Sequence, residues 1–351
     1  MYKTVVLKIG TNVLTKQNGE LDLSAIRLIV DQICELHEKG IYNLLVSSGA
    51  VGAGRTILPK IKTADEIENR QVLASIGQVE LMSIYKDLFR KKNIRIAQIL
   101  PTKSDFKDRN HYLNIKRCLQ GLHKNKIIPI INENDTVSVK ELMFTDNDEL
   151  AGLIAAMIGA DALIMGTVVD GVQDYKKGQT IKEIHADQNI QDILIKGKSK
   201  FGRGGMLTKL HNAQKIAKLG INVHIASGKQ KDFLIKLCSG EKLGTFIPSK
   251  KKKDTIKRWL AFTGDQGEAA IRLDYGLSKI LKTPTKIVSI LPVGIKRISG
   301  SFKKGDLIEI RNYQNKKIGV GIAEYSSIIA QNNLGKSKKK AIIHYNNLYI
   351  N

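Results

Sequence analysis

Apolar residues along this chain recur in two periods. Short β-branched runs fall at residues 4–9, 43–47, 94–100, 127–131, 162–165 and 221–225. Stretches with the three-and-four spacing of a helix separate most of them. Ser24 reads as the cap of one such helix, which carries Ile26, Ile29, Val30, Ile33 and Leu36 on one face and stops at Gly40. Further helices are expected over 65–92 and 110–125, from Leu150 onward, and over 210–219. Strand and helix alternate, which predicts an α/β fold with a mainly parallel central sheet sandwiched by helices. The pattern then changes. Residues 248–257, with Pro248 and a run of lysines, read as a linker. Beyond them lie short β-rich runs at 287–291, 307–310 and 318–323, separated by glycine-bearing turns such as Lys304-Gly305-Asp306. The expected organisation is a large domain over 1–247 and a small β-rich module over 258–351.

A chain of 351 residues suits one large domain and a smaller one. Cys34, Cys118 and Cys238 lie far apart and form no C-x-x-C pair, which points to a reducing compartment and away from disulfides or structural zinc. The histidines show no ligand spacing. The start of the chain has no signal-peptide pattern. The longest apolar segment, 150–166, contains Asp161 and is too short to span a bilayer. A cytoplasmic protein with no membrane contact is expected. The formal net charge is +24, and the final 101 residues hold 20 Lys and Arg against 7 Asp and Glu. Such a surplus suits anionic partners, nucleic acid among them, and equally a lysine-rich composition.

The stretch from Pro129 to Gly152 runs against that background. Six acids fall between Glu133 and Glu149, with Lys140 the one lysine among them. An apolar strand ends in Asn132-Glu133-Asn134-Asp135, and a second cluster, Thr145 to Glu149, opens onto a helix. Carboxylates and amides converging at a strand end suit an ammonium group, a metal or ordered cationic side chains; turn and cap chemistry draws on the same residue types. Lys8 sits inside a buried strand just before Gly10, and a lysine there wants an anion. Residues 47–54 carry glycines in the order G-x-x-G-x-G, unlike the dinucleotide-binding order G-x-G-x-x-G. Gly202 to Lys209 reads as a glycine loop feeding a helix, an arrangement that cradles phosphate with backbone amides. It is not the P-loop pattern.

Taken together and in order, these pieces resemble the glutamate 5-kinase branch of the amino acid kinase family. The matching segments are VVLKIGTNVL, SSGAVGAG, DRNHYLN, PIINENDTV, FTDNDELA and GRGGMLTK. The tail, with KRWLAF, DYGLSKIL, LPVGIKRISGSFKKGD and GVGIAEYSS, resembles a PUA domain. The resemblance implies transfer of the γ-phosphate of ATP, with Mg²⁺, to the side-chain carboxylate of L-glutamate as the first step of proline synthesis. It implies Lys8, Lys209 and Asp148 as catalytic residues, and Ser48, Gly49, Ala50, Asp135 and Asn147 as contacts to glutamate. Lys8, Gly10, Thr167, Val168, Arg203, Gly204, Gly205, Met206, Leu207, Thr208 and Lys209 would contact ATP. Three positions depart from the family's usual residues: Val168 stands where Asp is common, and Arg203 and Leu207 where Thr and Ser are common. The resemblance further implies a homo-oligomer, with glutamate-5-semialdehyde dehydrogenase as the next enzyme. The PUA part brings RNA to mind as a partner, but no aromatic residues interleave with its basic ones, so only weak, salt-sensitive RNA binding is expected.

Overall fold

The computed structural model of the chain describes residues 2–61, 65–137, 147–174, 178–189, 205–250, 257, 259–260, 269–281 and 288–350. The chain divides into two compact units, Met1–Lys252 and Lys253–Asn351. The division falls inside the stretch expected to be a linker, most of which lies outside the described residues.

In the first unit β1 (Thr4–Ile9) leads through the short α1 (Thr11–Leu14) into α2 (Leu23–Glu38). The cap of α2 is Asp22, not Ser24. The Asp22 carboxylate accepts hydrogen bonds from the amides of Ser24 and Ala25, and a negative cap also suits the positive end of the helix dipole. Then come β2 (Tyr42–Ser47), α3 (Ala50–Ile57), α4 (Glu66–Arg90), β3 (Ile96–Ile99), α5 (Arg109–Lys124) and β4 (Ile128–Ile131). After α6 (Asn147–Ile158) and β5 (Ala162–Thr167) a small hairpin forms from β6 (Gln173–Asp174) and β7 (Gln179–Thr180). The unit closes with α7 (Gly205–Lys218), β8 (Asn222–Ser227), α8 (Phe233–Ser239) and β9 (Thr245–Ile247).

Seven of these strands form one sheet in the order β3-β4-β2-β1-β5-β8-β9. All pairings are parallel except that of β9 with β8. The chain leaves β1 for β2 on one side and later reaches β5 on the other, so the order reverses at β1. In open parallel sheets that reversal opens a crevice at the carboxyl ends of the strands, where ligands bind. Alternation along β1 sets the next constraint. Val5, Leu7 and Ile9 face a core built with Ile26, Ile33, Leu81, Tyr85, Phe89 and Phe233 from α2, α4 and α8. Successive side chains point to opposite faces, so Val6 and Lys8 face the other side, where α6 packs.

Helices α3 and α4 approach closely, and two glycines permit it. A methyl group on Gly77 would collide with the carbonyl oxygen of Ala50 and the amide nitrogen of Gly54; one on Gly54 would collide with the Leu73 carbonyl. This contact fixes α3 at the end of β2.

The second unit is a five-stranded sheet in the order β11-β10-β12-β13-β14, made of β10 (Ala270–Leu273), β11 (Ile295–Ser299), β12 (Leu307–Arg311), β13 (Lys317–Ile322) and β14 (Leu348–Ile350). The helices α9 (Tyr275–Leu281) and α10 (Ser327–Asn332) accompany it. Its own core includes Ile271, Leu273, Ile308, Ile310, Ile342 and Ile343. Of the run expected at 287–291, the described residues 288–291 form no strand: Ile290 makes a single bridge to Ile343, and the exposed Leu291 leads into a 3-10 turn at Pro292–Gly294. Among the described residues no helix is long and apolar enough to cross a membrane.

Gly77→Ala is expected to cost about 1–3 kcal/mol or more, since backbone must move to admit the methyl. Gly121→Ala, where the added methyl meets nothing within 4 Å, is expected to gain ~0.5–1 kcal/mol as an ordinary helix-interior replacement. Thermal unfolding of the two variants checks this; a Gly77→Ala protein as stable as the parent would mean α3 and α4 separate freely.

Candidate functional site

Lys8 is the fifth residue of β1, next to its carboxyl end, and is buried among Val46 of β2 and Met165 of β5 as strand neighbours. Its Nζ lies 2.7 Å from Oδ1 of Asp148. The other carboxylate oxygen, Oδ2, accepts a hydrogen bond from Nζ of Lys209. Asp148 sits in the first turn of α6 and is almost fully buried. Burial pushes its carboxyl up, but the Lys209 and Lys8 ammonium groups and their hydrogen bonds outweigh this and hold it below the usual carboxylate range. Lys209 was expected in a loop before a helix starting at Leu210. The helix in fact starts at Gly205, so Gly205 to Lys209 form its opening turn. Glycines in this stretch suggested a loop, yet first-turn amides need no partner within the helix and can aim at a ligand from helical backbone. Arg203 and Gly204 lie outside the described residues.

The second half of the site gathers at the ends of β2 and β4. Gly49 takes a left-handed conformation, φ +107°, which a side chain would strain. It turns the chain from β2 into α3 and places its amide and that of Ala50 at the helix start. Asn147 ties the parts together. Its side-chain Nδ2 donates to Ser47 O at 3.0 Å, Ser48 Oγ at 2.8 Å and Asn132 Oδ1 at 3.1 Å. Asn132 in turn donates to Gln78 of α4. Beside them the buried Glu133 and the partly buried Asp135 face Arg70, which reaches Asp135 Oδ1 at 2.8 Å and Glu133 Oε2 at 3.9 Å. Arg70, Asn132, Glu133, Asp135 and Asn147 line a cavity of about 260 Å³ together with Lys8, Thr11, Ser48, Gly49 and Ala50. That is a small space beside the roughly 300–1,000 Å³ of drug-sized sites, fit for one compact polar molecule.

Arg70, Asn132 and Gln78 had no place in the sequence reading as site residues. Asn132 was visible as part of its cluster; Arg70 and Gln78 are single polar positions on a long helix, with no motif to mark them. The remaining expected contacts lie nearby. The Gly10 amide donates to Gly166 O at 3.2 Å, pinning β1 to β5. Thr167 ends β5, and the exposed Val168 follows it; neither lines the cavity around Lys8. Gly205, Met206, Leu207 and Thr208 occupy the first turn of α7, with Leu207 exposed. A second cavity of about 450 Å³ opens at Asp170, Thr180, Lys182, Ser227, Lys229 and Gln230, near the ends of β5 and β8. Among the described residues no group of three or more His, Cys, Asp or Glu could hold a metal. The arrangement is thus a cationic pair on a buried carboxylate beside a small pocket of mixed sign.

The sequence pattern of the amino acid kinase family matches residues 3–227, and that of the PUA domain matches residues 271–345. Among curated proteins, glutamate 5-kinase of Chlorobaculum tepidum is 43% identical, covering 100% of this chain and 98% of its own. Glutamate 5-kinase of Bacteroides thetaiotaomicron is 41% identical over 99% of each. Two solved structures share the fold of the larger part. UMP kinase from Bacillus anthracis superposes with a TM-score of 0.50 at 17% identity, over 71% of this chain and 97% of its own. Carbamate kinase from Giardia lamblia bound to AMP-PNP gives 0.53 at 20% identity, over 71% and 99%.

Asp148→Asn is expected to leave two ammonium groups around a neutral amide, at a cost of roughly 3–5 kcal/mol near neutral pH. Because the folded-state pKa of Asp148 is lowered, its contribution is complete above the unfolded value of about 3.9 and is lost as pH falls through the folded value. The variant should therefore lose stability less steeply than the parent below about pH 4. Unfolding curves across pH decide it; a variant matching the parent at neutral pH would show that the carboxylate holds neither lysine.

Proposed function

This chain belongs to the amino acid kinase family and is a kinase, and from that premise we propose that it moves the γ-phosphoryl group of ATP to the side-chain carboxylate of free L-glutamate. The observation that carries this reading is the pairing of Lys8 and Lys209 on one buried carboxylate, set beside a small pocket with an acidic end. A carboxylate acceptor is already ionised at neutral pH, so no general base is needed. The demands that remain are alignment of the two anions and neutralisation of charge on the phosphoryl oxygens in flight. Two lysines against one aspartate leave a net positive centre in a buried place, where such a charge acts strongly. Asp148 keeps the two ammonium groups from repelling each other apart and fixes where they point.

The substrate end is supported by charge. The Gly49 and Ala50 amides and Ser48 suit the reacting carboxylate, and Asp135 suits the α-ammonium. The first turn of α7, residues Gly205 to Lys209, suits the nucleotide phosphates, with Gly10, Thr167 and Val168 beside it. Mg²⁺ is written here as part of the nucleotide substrate. It favours phosphate oxygens and water over an all-protein cage, which accords with the donor set among the described residues. The product would be an acyl phosphate, and a reducing enzyme that takes it on to the semialdehyde is the step to follow in proline synthesis. The three unpaired cysteines fit a cytoplasmic setting.

Free glutamate is expected to support ATP-dependent acyl phosphate formation, trapped as the hydroxamate, and N-acetylglutamate is not. Equal or better activity with the acetylated acid would overturn the assignment. Lys8→Ala or Lys209→Ala should lower kcat by about 10²–10³-fold, the loss of one preorganised contact to the transition state. Asp135→Ala should chiefly raise KM for glutamate, because that contact serves ground and transition states alike. Steady-state kinetics separate these, and a Lys209→Ala enzyme with near-parental kcat removes Lys209 from the phosphoryl site.

A further inference from the structure

Of the charged groups lining the substrate pocket, the proposed chemistry leaves Glu133 and the cation Arg70 without a task; Arg70 is the more telling. It projects from α4, and its Nε and Nη2 donate to a single oxygen, Asp135 Oδ1, at 3.1 and 2.8 Å. Glu133 Oε2 is 3.9 Å away. The Asp135 and Glu133 side chains are only 9% and 4% exposed, whereas the Arg70 side chain is 47% exposed. A guanidinium has five N–H donors in a planar fork, so two bonds to one oxygen leave donors for a second anion. Its exposure also makes the pair with Asp135 weak enough to rearrange at little cost.

The charges sort into two groups. Lys8, a lining residue, shares Asp148 with Lys209, and the three sum to one positive charge. Arg70, Glu133 and Asp135, all in the lining, sum to one negative charge. A γ-carboxylate and a transferring phosphoryl group need the first. An α-amino acid head is a zwitterion and needs both signs at once: carboxylates for its ammonium, and a cation for its carboxylate. The second group supplies that set, with Arg70 as its cation. We infer that Arg70 reads the α-carboxylate of the substrate, while Asp135 and Glu133 take the α-ammonium. Before binding, Arg70 neutralises the two acids. On binding, the ammonium shares that duty and the fork turns its remaining donors to the α-carboxylate. Arg70 is then a specificity residue for α-amino acids, separate from phosphoryl transfer.

This inference rests on glutamate as the substrate, and one comparison tests it. The probe is glutamate α-amide (isoglutamine), which keeps the γ-carboxylate and α-ammonium and replaces the α-carboxylate by a neutral group of the same shape. The parent enzyme should prefer glutamate in kcat/KM by about 30-fold or more, the loss expected when one partner of a hydrogen-bonded charge pair is removed. Arg70→Gln should lower kcat/KM for glutamate by a similar factor, mainly through KM, and leave the α-amide within a few-fold, so that the preference collapses. Arg70→Lys, which keeps the charge and loses the fork, should fall between, and it carries the same comparison if Arg70→Gln does not fold. A parent enzyme that uses both substrates equally overturns the inference with no variant needed. Variants in which both substrates fall together, preference intact, also overturn it and reduce Arg70 to a neutraliser of Asp135 and Glu133. Turnover of neither substrate removes the glutamate reading itself, and the inference with it.

Discussion

A single buried carboxylate holds three parts of the chain in place. Asp148 lies on α6, Lys8 on β1 and Lys209 on α7, and both lysines end on its two oxygens. Burying any one of these charges alone is costly. Burying all three together is tolerable because each oxygen of the carboxylate meets an ammonium group. On the proposed reading, the surplus of one positive charge is the point of the arrangement. A fully neutral cluster would be easier to bury and of little use to an incoming phosphoryl group. The strand order serves the same end. With β1 at the reversal of the sheet, its carboxyl end opens into the crevice between its neighbours, and Lys8 stands at that opening.

Precision at the other end of the site comes from packing and backbone, not from charge. Gly49 in its left-handed conformation, Gly54 and Gly77 at the α3–α4 contact, and Asn147 bridging β2 to β4 together fix where the amides of Gly49 and Ala50 point. None of these residues is suited to proton or phosphoryl chemistry of its own. They matter because a pocket of about 260 Å³ leaves little room for a misplaced carboxylate.

The sequence was most informative where function and local pattern coincide. Lys8 interrupts an apolar strand, a violation of a local rule of the kind that marks sites; Asp148 and Asn147 keep the local rule at a helix start but belong to an acidic stretch in a strongly basic chain. It was less informative where the rule was kept. Arg70 is an ordinary charge on a long helix, and its partner Asp135 lies 65 positions along the chain, so nothing local announces the pair. The start of α7 was misplaced because glycine is read as loop, although an opening turn can carry it. In the smaller unit β11 escaped notice because Lys296 and Arg297 stand side by side and break the alternation of a half-buried strand. The sheet order explains them: β11 is an edge strand, where exposed charges discourage pairing with other chains.

The opposition between the whole chain and its pocket bears on how anions are chosen. Both proposed substrates are anionic, and a formal charge of +24 raises the local concentration of any anion near the surface. That attraction is indiscriminate, and at physiological ionic strength it fades over about 8 Å. Selection therefore has to come from charges close to the ligand and shielded from salt. Glu133 and Asp135 line the cavity, and on the proposed reading they would repel an anion that brings no positive group of its own. Lys8, also in the lining, and Lys209, its partner on Asp148, would accept one that does. On that reading an acidic patch in a strongly basic chain turns general attraction for anions into a preference for a zwitterion with one further carboxylate.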